Sequence, residues 1–261
     1  MVKEESLKND ILRESILVVI PTYNESENVP ILLERIFSLN LPRLSVLIVD
    51  DSSPDNTGDI VRHIATQYNW PINVISRSAK LGLGTAYKEG FEFAIKSGHS
   101  LIVQMDADLS HNPMYLPEML EMIRFNDVVI GSRYTKRGGE VRGWGLHRRV
   151  LSVVSNIGIR WILNTNVRDI TSGFKMFRAN RLSQLDMNLV QSTGFGFQVE
   201  IAFLCNKNDF KICELPIIFE DRIHGKSKMS VQIIVEIFFR ILCIRVLSLF
   251  TGRKKSNFSS R

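Results

Sequence analysis

The sequence predicts an α/β protein with a doubly wound, mostly parallel β-sheet and helices on both faces. Apolar runs of strand character alternate with amphipathic helical stretches along the first half of the chain. A polar loop follows each apolar run, as it does where strands end in such sheets. With 261 residues, 44% of them hydrophobic and 23% charged, the chain is large enough for one domain with a substantial core.

The first half of the chain contains four predicted strands, separated by helices. The strands are predicted at 16–20, 46–49, 72–75 and from 101 up to the residue before Asp106, and the helices at about 27–39, at 54–68 and from the loop 80–84 to about 96. Ser53 is expected to cap the second helix, with Pro54 at its first position. Because strand ends meet at one edge of a parallel sheet, the polar loops should share one crevice.

The second half of the chain has a less regular pattern. The predicted elements are a helix at 115–124, a short strand at 127–130, a Gly-rich loop at 136–145, a helix at 147–163, a strand at 174–177, a helix at 197–206, a strand at 210–219 and an apolar helix within 231–250. The Gly-rich loop lies beside basic residues, which is typical of a flap over an anionic ligand, although an ordinary surface connection explains it equally well.

Two aspartates end the fourth predicted strand. Asp106 and Asp108 are two residues apart, so in an extended segment both carboxylates point to the same side. Mg²⁺ and Mn²⁺ favour oxygen ligands, and Mg²⁺ often uses one or two carboxylates together with substrate phosphates. Two solvated acids at a strand end are the alternative. The expected neighbours Tyr23, Glu25 and Asp51, which also follow strands, favour a metal–diphosphate site.

The charge of the chain indicates anionic partners. The formal net charge is +6 and the pI is about 9.3, which favours phosphates, nucleic acid or a lipid surface. Residues 133–149 form a basic cluster that contains six Lys and Arg side chains and a single acid, Glu140. No aromatic-interleaved basic strand supports nucleic-acid binding, so we expect no nucleic-acid partner. The three cysteines lack disulfide or zinc spacing and are expected to be reduced, as in a cytoplasmic protein.

Two phosphate-binding fingerprints fail. After Gly82 and Gly84, the third glycine of a dinucleotide motif is replaced by Tyr87. The stretch 225–227 ends like a P-loop, but Glu220 stands where that motif needs its first glycine. The functional prediction therefore rests on the polar residues of the crevice.

A series of motifs in one order matches a known enzyme family. They are PTYNE at 21–25, VDDSSPD at 49–55, KLGLG at 80–84, MDADLSH at 105–111 and GSRY at 131–134, and the likeness continues through 144–149, 168–174 and 221–228. The chain resembles the inverting family 2 glycosyltransferases of GT-A fold, a Rossmann-like nucleotide-diphospho-sugar transferase fold. Within that family it is similar to the polyprenol-phosphate (dolichyl-phosphate) mannosyltransferases, over the chain up to about residue 229.

The resemblance implies a role for each matching residue. The positions that match nucleoside-binding residues are Pro21, Tyr23, Glu25 and Asp51. Asp106 and Asp108 match the Asp-x-Asp pair that holds Mg²⁺ or Mn²⁺, and Ser110 stands where many relatives have a metal-binding Gln. Four positions match basic residues that meet the donor diphosphate or the acceptor phosphate, namely Arg133, Arg148, Arg222 and Lys228. A serine beside them in the family is matched by Ser227. Asp108 and these four basic residues are the implied catalytic set.

The implied reaction is the inverting transfer of mannose from GDP-mannose to dolichyl or polyprenyl phosphate. A lipid phosphate is already an anionic nucleophile, so the reaction requires positioning and stabilisation of the leaving group rather than a general base. One alternative is the same chemistry with a UDP-sugar, as in undecaprenyl-phosphate glucosyl- or aminoarabinosyltransferases. Another is a non-catalytic basic binding module.

The C-terminal part is expected to contact a membrane. Residues 231–250 are apolar but contain Glu236, Arg240 and Arg245, and charged side chains cost roughly 2.5–3.5 kcal/mol each at a bilayer centre, so no transmembrane span is predicted. Glu236 and Arg240 are spaced to pair on one helix face. A helix at the interface, docking on a small membrane-anchored partner subunit, and packing on the catalytic domain are the alternatives.

The sequence is therefore divided into three parts. They are a catalytic domain at 1–229, an apolar membrane- or partner-contacting helix at 230–252 and a basic tail at 253–261. The implied location is peripheral, at the cytoplasmic face of the endoplasmic reticulum in a eukaryote or of the plasma membrane in a prokaryote. A homo-oligomer is a further possible assembly.

Overall fold

The computed structural model describes residues 14–136, 138–221, 240–242 and 245. The strands are β1 Ile16–Thr22, β2 Leu44–Asp50, β3 Ile72–Ser76, β4 Leu101–Gln104, β5 Val128–Ser132, β6 Glu140–Arg142, β7 Lys175–Arg178, β8 Ile212–Pro216 and β9 Ile218–Glu220. Seven of them form one sheet in the order β3-β2-β1-β4-β7-β5-β8, while β6 and β9 form a separate parallel pair.

The central sheet is parallel except for β7. Strands β1 to β4 pair in parallel, as do β5 and β8, and β7 runs antiparallel between β4 and β5. Lys175, the first residue of β7, pairs with Gln104 near the end of β4 and with Ile130 of β5. The turn that precedes β7 therefore lies at the edge where the parallel strands end. The prediction of a mostly parallel sheet is confirmed.

Helices cover both faces of the sheet. They are α1 Asn28–Phe37, α2 Thr57–Tyr68, α3 Leu83–Lys96, α4 Leu116–Ile123, α5 Leu146–Leu163, α6 Ala179–Leu182 and α7 Gly196–Lys207. Alternate residues of β1 point to opposite faces. Leu17 and Val19 join a core cluster with α3, α5 and α7, whereas Val18 and Ile20 join another with α1, α2 and α4. The sheet is thus doubly wound, as predicted.

Two local predictions differ from the structure. Helix α2 begins at Thr57 rather than at Pro54, because the Ser53 hydroxyl donates to Asp50 at 2.6 Å and Asp55 accepts from the Thr57 backbone at 3.1 Å. The single strand predicted at 210–219 is two strands, since the chain leaves the central sheet at Ile217 and β9 pairs with β6.

The described part of the C-terminal stretch packs on the domain. Arg240 Nε donates to Glu200 Oε1 of α7 at 2.6 Å, and Ile241 is 2% exposed within the core cluster that contains α7. The predicted partner of Arg240, Glu236, lies outside the described residues, as does most of the predicted apolar helix. None of the helices described here is long and apolar enough to cross a bilayer.

Two helix-interior glycines should respond in opposite ways to alanine. A Cβ at Gly90 of α3 would lie 2.3 Å from Val19 Cγ1, whereas a Cβ at Gly158 of α5 meets no atom within 4 Å. Gly90→Ala should lower the free energy of unfolding by about 1–3 kcal/mol through overpacking. Gly158→Ala should raise it by about 0.5–1 kcal/mol, because alanine loses less backbone entropy in a helix.

Urea unfolding of both variants checks this prediction. The wild type is the reference, and an unchanged denaturant slope ensures that the midpoints report stability. A stabilised Gly90→Ala protein would contradict the close packing of α3 on β1.

Candidate active site

The loops that carry the predicted site leave one edge of the sheet. Thr22 pairs with Asp50 at the ends of β1 and β2, and the Asp51 backbone donates to the Thr22 carbonyl at 3.0 Å. Just beyond β4, the Met105 backbone donates to the carbonyl of Val19 at 3.2 Å. The segments with the predicted nucleoside and metal residues therefore emerge side by side.

Asp106 is held by groups from three other parts of the chain. Its Oδ1 accepts from the Tyr87 hydroxyl of α3 at 2.8 Å, and its backbone N–H donates to His111 Nδ1 at 3.1 Å. A Cβ on Gly173, in the turn before β7, would come within 2.9 Å of Asp106 Oδ2. Burial, together with the charge of Asp106, raises the pKa of Tyr87 well above its usual value, so Tyr87 stays a hydrogen-bond donor.

His111 is a neutral positioning group in this arrangement. Its ring stacks on Phe174 at 5.3 Å and meets Phe219 edge-on at 5.8 Å between centroids. Burial lowers the pKa of His111, because desolvation outweighs the nearby carboxylates. With Nδ1 accepting from Asp106, the neutral ring carries its proton on Nε2.

Asp108 and Ser110 form a tight turn. Asp108 Oδ1 accepts from the Ser110 hydroxyl at 2.5 Å and from its backbone N–H at 3.2 Å. Leu109 between them has φ of +65°, a strained conformation that costs about 1–3 kcal/mol for a non-glycine residue. Its side chain is buried in the core cluster beneath, which offsets that cost. Ser110 thus orients Asp108, and direct ligation of a metal by Ser110 stays a prediction.

The donor atoms of this turn suit a hard divalent cation. Carboxylate oxygens are the preferred ligands of Mg²⁺ and Mn²⁺, and Asp106 and Asp108 supply two such groups two residues apart in one loop. Within the described ranges there is no cluster of three or more His, Cys, Asp and Glu side chains arranged for a metal. A two-carboxylate site that relies on substrate phosphates matches this donor set.

Asp51 is paired with an arginine that the sequence analysis missed. Arg77 after β3 makes a buried ion pair with Asp51, and the Gly82 backbone donates to Asp51 Oδ2 at 2.9 Å. Arg77 also donates to Thr85 at 2.7 Å and to the Gly82 carbonyl at 3.0 Å. These contacts join the loops after β2 and β3 ahead of α3. A nucleoside-binding role for Asp51 stays a prediction.

The other predicted nucleoside residues lie at the end of β1. Pro21 is within β1, and Lys80 Nζ lies 3.7 Å from the centroid of the Tyr23 ring, a cation–π contact. Glu25 Oε2 accepts from Asn28 at 2.7 Å. These loops are therefore ordered by their own contacts before any ligand is considered.

Arg133 is part of a buried, bidentate ion pair with Asp169. Its Nε and Nη2 donate to the two carboxylate oxygens, each at 2.7 Å, and its backbone N–H donates to Oδ2 at 2.9 Å. Burial alone would raise the pKa of Asp169, but the charge and hydrogen bonds of Arg133 lower it. Burial alone would lower the pKa of Arg133, but the charge and hydrogen bonds of Asp169 raise it above its usual value.

Arg148 lies in a more exposed setting at the start of α5. Its guanidinium stacks over Trp144 at 4.0 Å, and its Nη1 is 3.2 Å from Asp221 Oδ1. Trp144 Nε1 donates to the same oxygen at 3.2 Å. Arg133 lies 5.7 Å from the centroid of the Trp144 ring, so both arginines lie near one indole. The remaining predicted site residues, Arg222, Ser227 and Lys228, are outside the described ranges.

A buried polar cluster lies behind the aspartates. Lys175 Nζ donates to Gln198 Oε1 at 2.9 Å and to the Ser172 carbonyl, and Gln104 donates to the Gly173 carbonyl at 2.9 Å. Burial lowers the pKa of Lys175 to about 7. A lysine at the head of an apolar strand was the available sequence signal for this cluster. Tyr87 gave no comparable signal, because its partner is distant in sequence, and Asp169 was marked only as part of the matching stretch 168–174.

Comparison with known proteins identifies the family. The profile described as Glycosyl transferase family 2 matches residues 17–185, which include the aspartate turn, the Arg133–Asp169 pair and the loops after β1 and β2. The chain belongs to glycosyl transferase family 2. The family assignment made from the sequence motifs is therefore confirmed.

Two relatives of this glycosyltransferase match most of its length. The polyprenol monophosphomannose synthase of Mycolicibacterium smegmatis is 40% identical over 226 residues, covering 86% of this chain and 84% of that protein. The undecaprenyl-phosphate mannosyltransferase of Micrococcus luteus is 41% identical over 221 residues, covering 85% of this chain and 90% of that protein.

Solved structures confirm the GT-A fold of this glycosyltransferase. Glucosyl-3-phosphoglycerate synthase from Mycobacterium tuberculosis, in complex with Mn²⁺, UDP-glucose and phosphoglyceric acid, superposes with a TM-score of 0.66 at 18% identity, covering 92% of this chain and 83% of that chain. The complex of the same enzyme with Mg²⁺ and UDP gives a TM-score of 0.64 at 19% identity, covering 92% and 82%. At this identity the likeness concerns the fold.

The buried and exposed arginine–aspartate pairs should differ in their effect on stability. Asp169→Asn leaves the Arg133 charge buried without a counter-charge and should lower the free energy of unfolding by about 3–5 kcal/mol at neutral pH. Asp221→Asn removes the partner of the more exposed Arg148 and should cost less than about 1 kcal/mol. Urea unfolding of the two variants measures both values.

The pH dependence of the free energy of unfolding provides the control for this prediction. Because the pKa of Asp169 is lowered in the folded state, its contribution to stability is present above the unfolded value near ~4 and is lost as the pH falls through the folded value. The difference between wild type and Asp169→Asn should therefore shrink in acid. A difference that stays constant would contradict the ionised pair.

Proposed function

We propose that this glycosyltransferase transfers mannose from GDP-mannose to a polyprenyl or dolichyl phosphate, with inversion at the anomeric carbon. The observation that carries the proposal is the 40% and 41% identity to two relatives whose names share mannosyl transfer to a polyprenyl phosphate. The matched stretches cover more than four fifths of this chain, 86% and 85%.

On the donor side, Asp106 and Asp108 would hold Mg²⁺ or Mn²⁺ against the diphosphate. When bound, the cation supplies charge stabilisation to the leaving nucleoside diphosphate. Tyr87 and His111 fix the position of Asp106, and Ser110 fixes that of Asp108, so the carboxylates do not reorganise when substrate arrives. Complexes of a structural neighbour with Mg²⁺ and UDP, and with Mn²⁺ and UDP-glucose, are consistent with a divalent cation beside the diphosphate.

On the acceptor side, the anionic lipid phosphate is the nucleophile. One of its oxygens forms the bond to the anomeric carbon as the bond from that carbon to the diphosphate oxygen breaks, which inverts the centre in a single displacement. Because that oxygen carries no proton to remove, positioning replaces general-base catalysis. Arg148, stacked on Trp144 at the exposed side of the site, is suited to meet the incoming phosphate, and Arg222 and Lys228 are proposed to join it.

The buried Arg133 has a different part in this mechanism. Its charge is already balanced by Asp169, so the pair adds little net field to the crevice. Its fixed guanidinium instead keeps the end of β5 against the turn before β7. We propose that Arg133 shapes the pocket around the diphosphate. The part of its guanidinium that does not bind Asp169 would face the diphosphate.

We propose a peripheral location at the cytoplasmic face of a membrane, where the lipid acceptor is reached. Residues 1–229 are proposed to form the catalytic domain, followed by the apolar stretch 230–252 and the basic tail 253–261. The contacts of Arg240 and Ile241 with the domain favour packing of that point of the stretch on α7. A small membrane-anchored partner or a second copy of this chain would then bind to residues other than Arg240 and Ile241.

The donor is tested by direct transfer. The purified protein is incubated with polyprenyl phosphate, Mg²⁺ or Mn²⁺, and labelled GDP-mannose or UDP-glucose, and label is followed into the organic phase. We expect transfer from GDP-mannose, abolished by a chelator, and a product of inverted anomeric configuration by NMR. Transfer from UDP-glucose alone would refute the mannose assignment, and transfer from neither would refute the enzymatic function.

The aspartate turn is tested by substitution. Asp108→Ala should reduce transfer by at least about 100-fold, the scale of losing one preorganised electrostatic group. Asp59→Ala, at a side chain that is 77% exposed on α2, is the matched control and should keep wild-type transfer. Circular dichroism of both variants should equal that of the wild type. An active Asp108→Ala protein would exclude the metal role of this residue.

A further inference from the structure

The loop that precedes α7 caps the start of α3. This loop comprises residues 190–195, and its Thr193 carbonyl accepts from the Gly84 backbone at 2.7 Å. Gly84 is the second residue of α3, so its N–H has no partner within the helix. Gly82, just before α3, has a φ of +99° and supplies no side-chain cap. A carbonyl from a loop far away in sequence therefore takes the place of a capping side chain.

The loop 190–195 fits closely against α3. A Cβ at Gly84 would collide with the Ser192 carbonyl, and a Cβ at Gly82 would lie 2.8 Å from the carbonyl oxygen that caps the helix. Further along α3, Lys88 Nζ donates to the Val190 carbonyl. The loop is thus bound to the first two turns of α3.

The start of α3 supports two aspartates of the proposed donor site. The Gly82 backbone N–H donates to Asp51 Oδ2 at 2.9 Å, and the Gly82 carbonyl accepts from Arg77 at 3.0 Å. One turn into the helix, the Tyr87 hydroxyl donates to Asp106 at 2.8 Å. A displacement of this end of α3 would therefore disturb the groups that hold both aspartates.

Glu200 holds the loop 190–195 from the side of α7. Its carboxylate accepts from the Gln191 backbone at 2.6 Å, and from the Ser192 hydroxyl at 2.6 Å and backbone at 3.3 Å. The Glu200 side chain is 3% exposed, and a buried carboxylate requires a nearby cation. Arg240 supplies the cation, because its Nε donates to Glu200 Oε1 at 2.6 Å. A chain of contacts thus runs from the C-terminal stretch to the crevice.

We propose that Glu200 and Arg240 are positioning residues for the nucleotide-sugar donor. Their ion pair fixes the loop 190–195, the loop caps α3, and the capped helix holds the Gly82 peptide against Asp51. Both residues act through the loop rather than by contact with the donor. The inference rests on the part of the proposed function that places Asp51 and Asp106 around a nucleoside diphosphate.

An ion pair that only stabilises the fold is the alternative. Its removal would lower the free energy of unfolding and leave the nucleotide affinity of the folded protein unchanged. Removal of a positioning pair has a different effect, because a site that is competent in only a fraction of the molecules binds its ligand more weakly by that fraction. The nucleotide affinity of the folded protein therefore separates the two roles.

Calorimetric titration of the full chain with GDP and with UDP, in the presence of Mn²⁺, tests the proposal. Arg240→Gln should raise the dissociation constant of the nucleotide that binds the wild type at least about fivefold, since losing a charge-assisted hydrogen bond releases the loop. Arg240→Lys keeps the charge and should recover most of that affinity. Where Arg240→Gln does not fold, Ser192→Ala provides the same test. It removes one hydroxyl donor from Glu200 and should raise the constant about two- to threefold.

Arg181→Gln is the matched control. Arg181 pairs with Asp127 at 3.4 Å, and its side chain is 29% exposed, against 24% for Arg240. It follows the end of β7 that pairs with the start of β4, at the edge of the sheet away from the crevice. Arg181→Gln should keep wild-type nucleotide affinity. Wild-type affinity in Arg240→Gln would overturn the proposal, and so would an equal loss in Arg181→Gln, because that loss would reflect general destabilisation.

Transfer kinetics separate this proposal from the proposed function. Arg240→Gln should raise KM for the donor and leave kcat and KM for the lipid acceptor close to the wild-type values. An unchanged donor KM would overturn the positioning role alone. A wild type that binds a nucleotide but transfers no sugar would refute the proposed reaction, while the nucleotide affinities of the variants would still decide the positioning role. A wild type that binds neither nucleotide would overturn both.

Discussion

The buried ion pair between Arg133 and Asp169 is the contact on which the arrangement of the site depends. Two charges removed from water must be paired closely, and here three hydrogen bonds join the end of β5 to the turn before β7. Asp169 also donates its backbone N–H to Glu214 of β8 at 2.9 Å. Asp169 therefore links the ends of β5 and β8 to the turn before β7 through its carboxylate and its backbone N–H. That turn places Gly173 so near Asp106 that an added Cβ would lie 2.9 Å from Asp106 Oδ2.

The opposite side of the crevice is preorganised by backbone conformation. Asn24, Ser52 and Leu109 have left-handed φ angles of 60°, 58° and 65°, one in each loop that leaves β1, β2 and β4. Such conformations persist where surrounding contacts hold them, and they are common at ligand sites. This side of the crevice thus consists of tightly turned acidic loops, whereas the other side carries two arginines near one indole, Arg133 and Arg148 beside Trp144.

Much of this architecture is predictable because it is local. Continuous apolar runs and helical apolar periodicity locate β1 to β4 and their helices, and the motif series identifies the family and the aspartate pair. Two features are not local. The reversed direction of β7 depends on pairing with two strands far away in sequence, and Arg77 and Tyr87 have partners on other loops. The Ser53 contact is local but still missed, because its hydroxyl donates to Asp50 three residues earlier instead of capping α2.

The antiparallel strand β7 has a consequence for how this enzyme tolerates change. It lies between β4, which leads to the turn of Asp106 and Asp108, and β5, which leads to Arg133, and its first residue, Lys175, pairs with both. A substitution that shifts β7 along its axis would therefore move that turn and Arg133 together. Under the proposed function, changes within the sheet would alter donor and acceptor binding jointly, whereas changes in the loops would alter them separately.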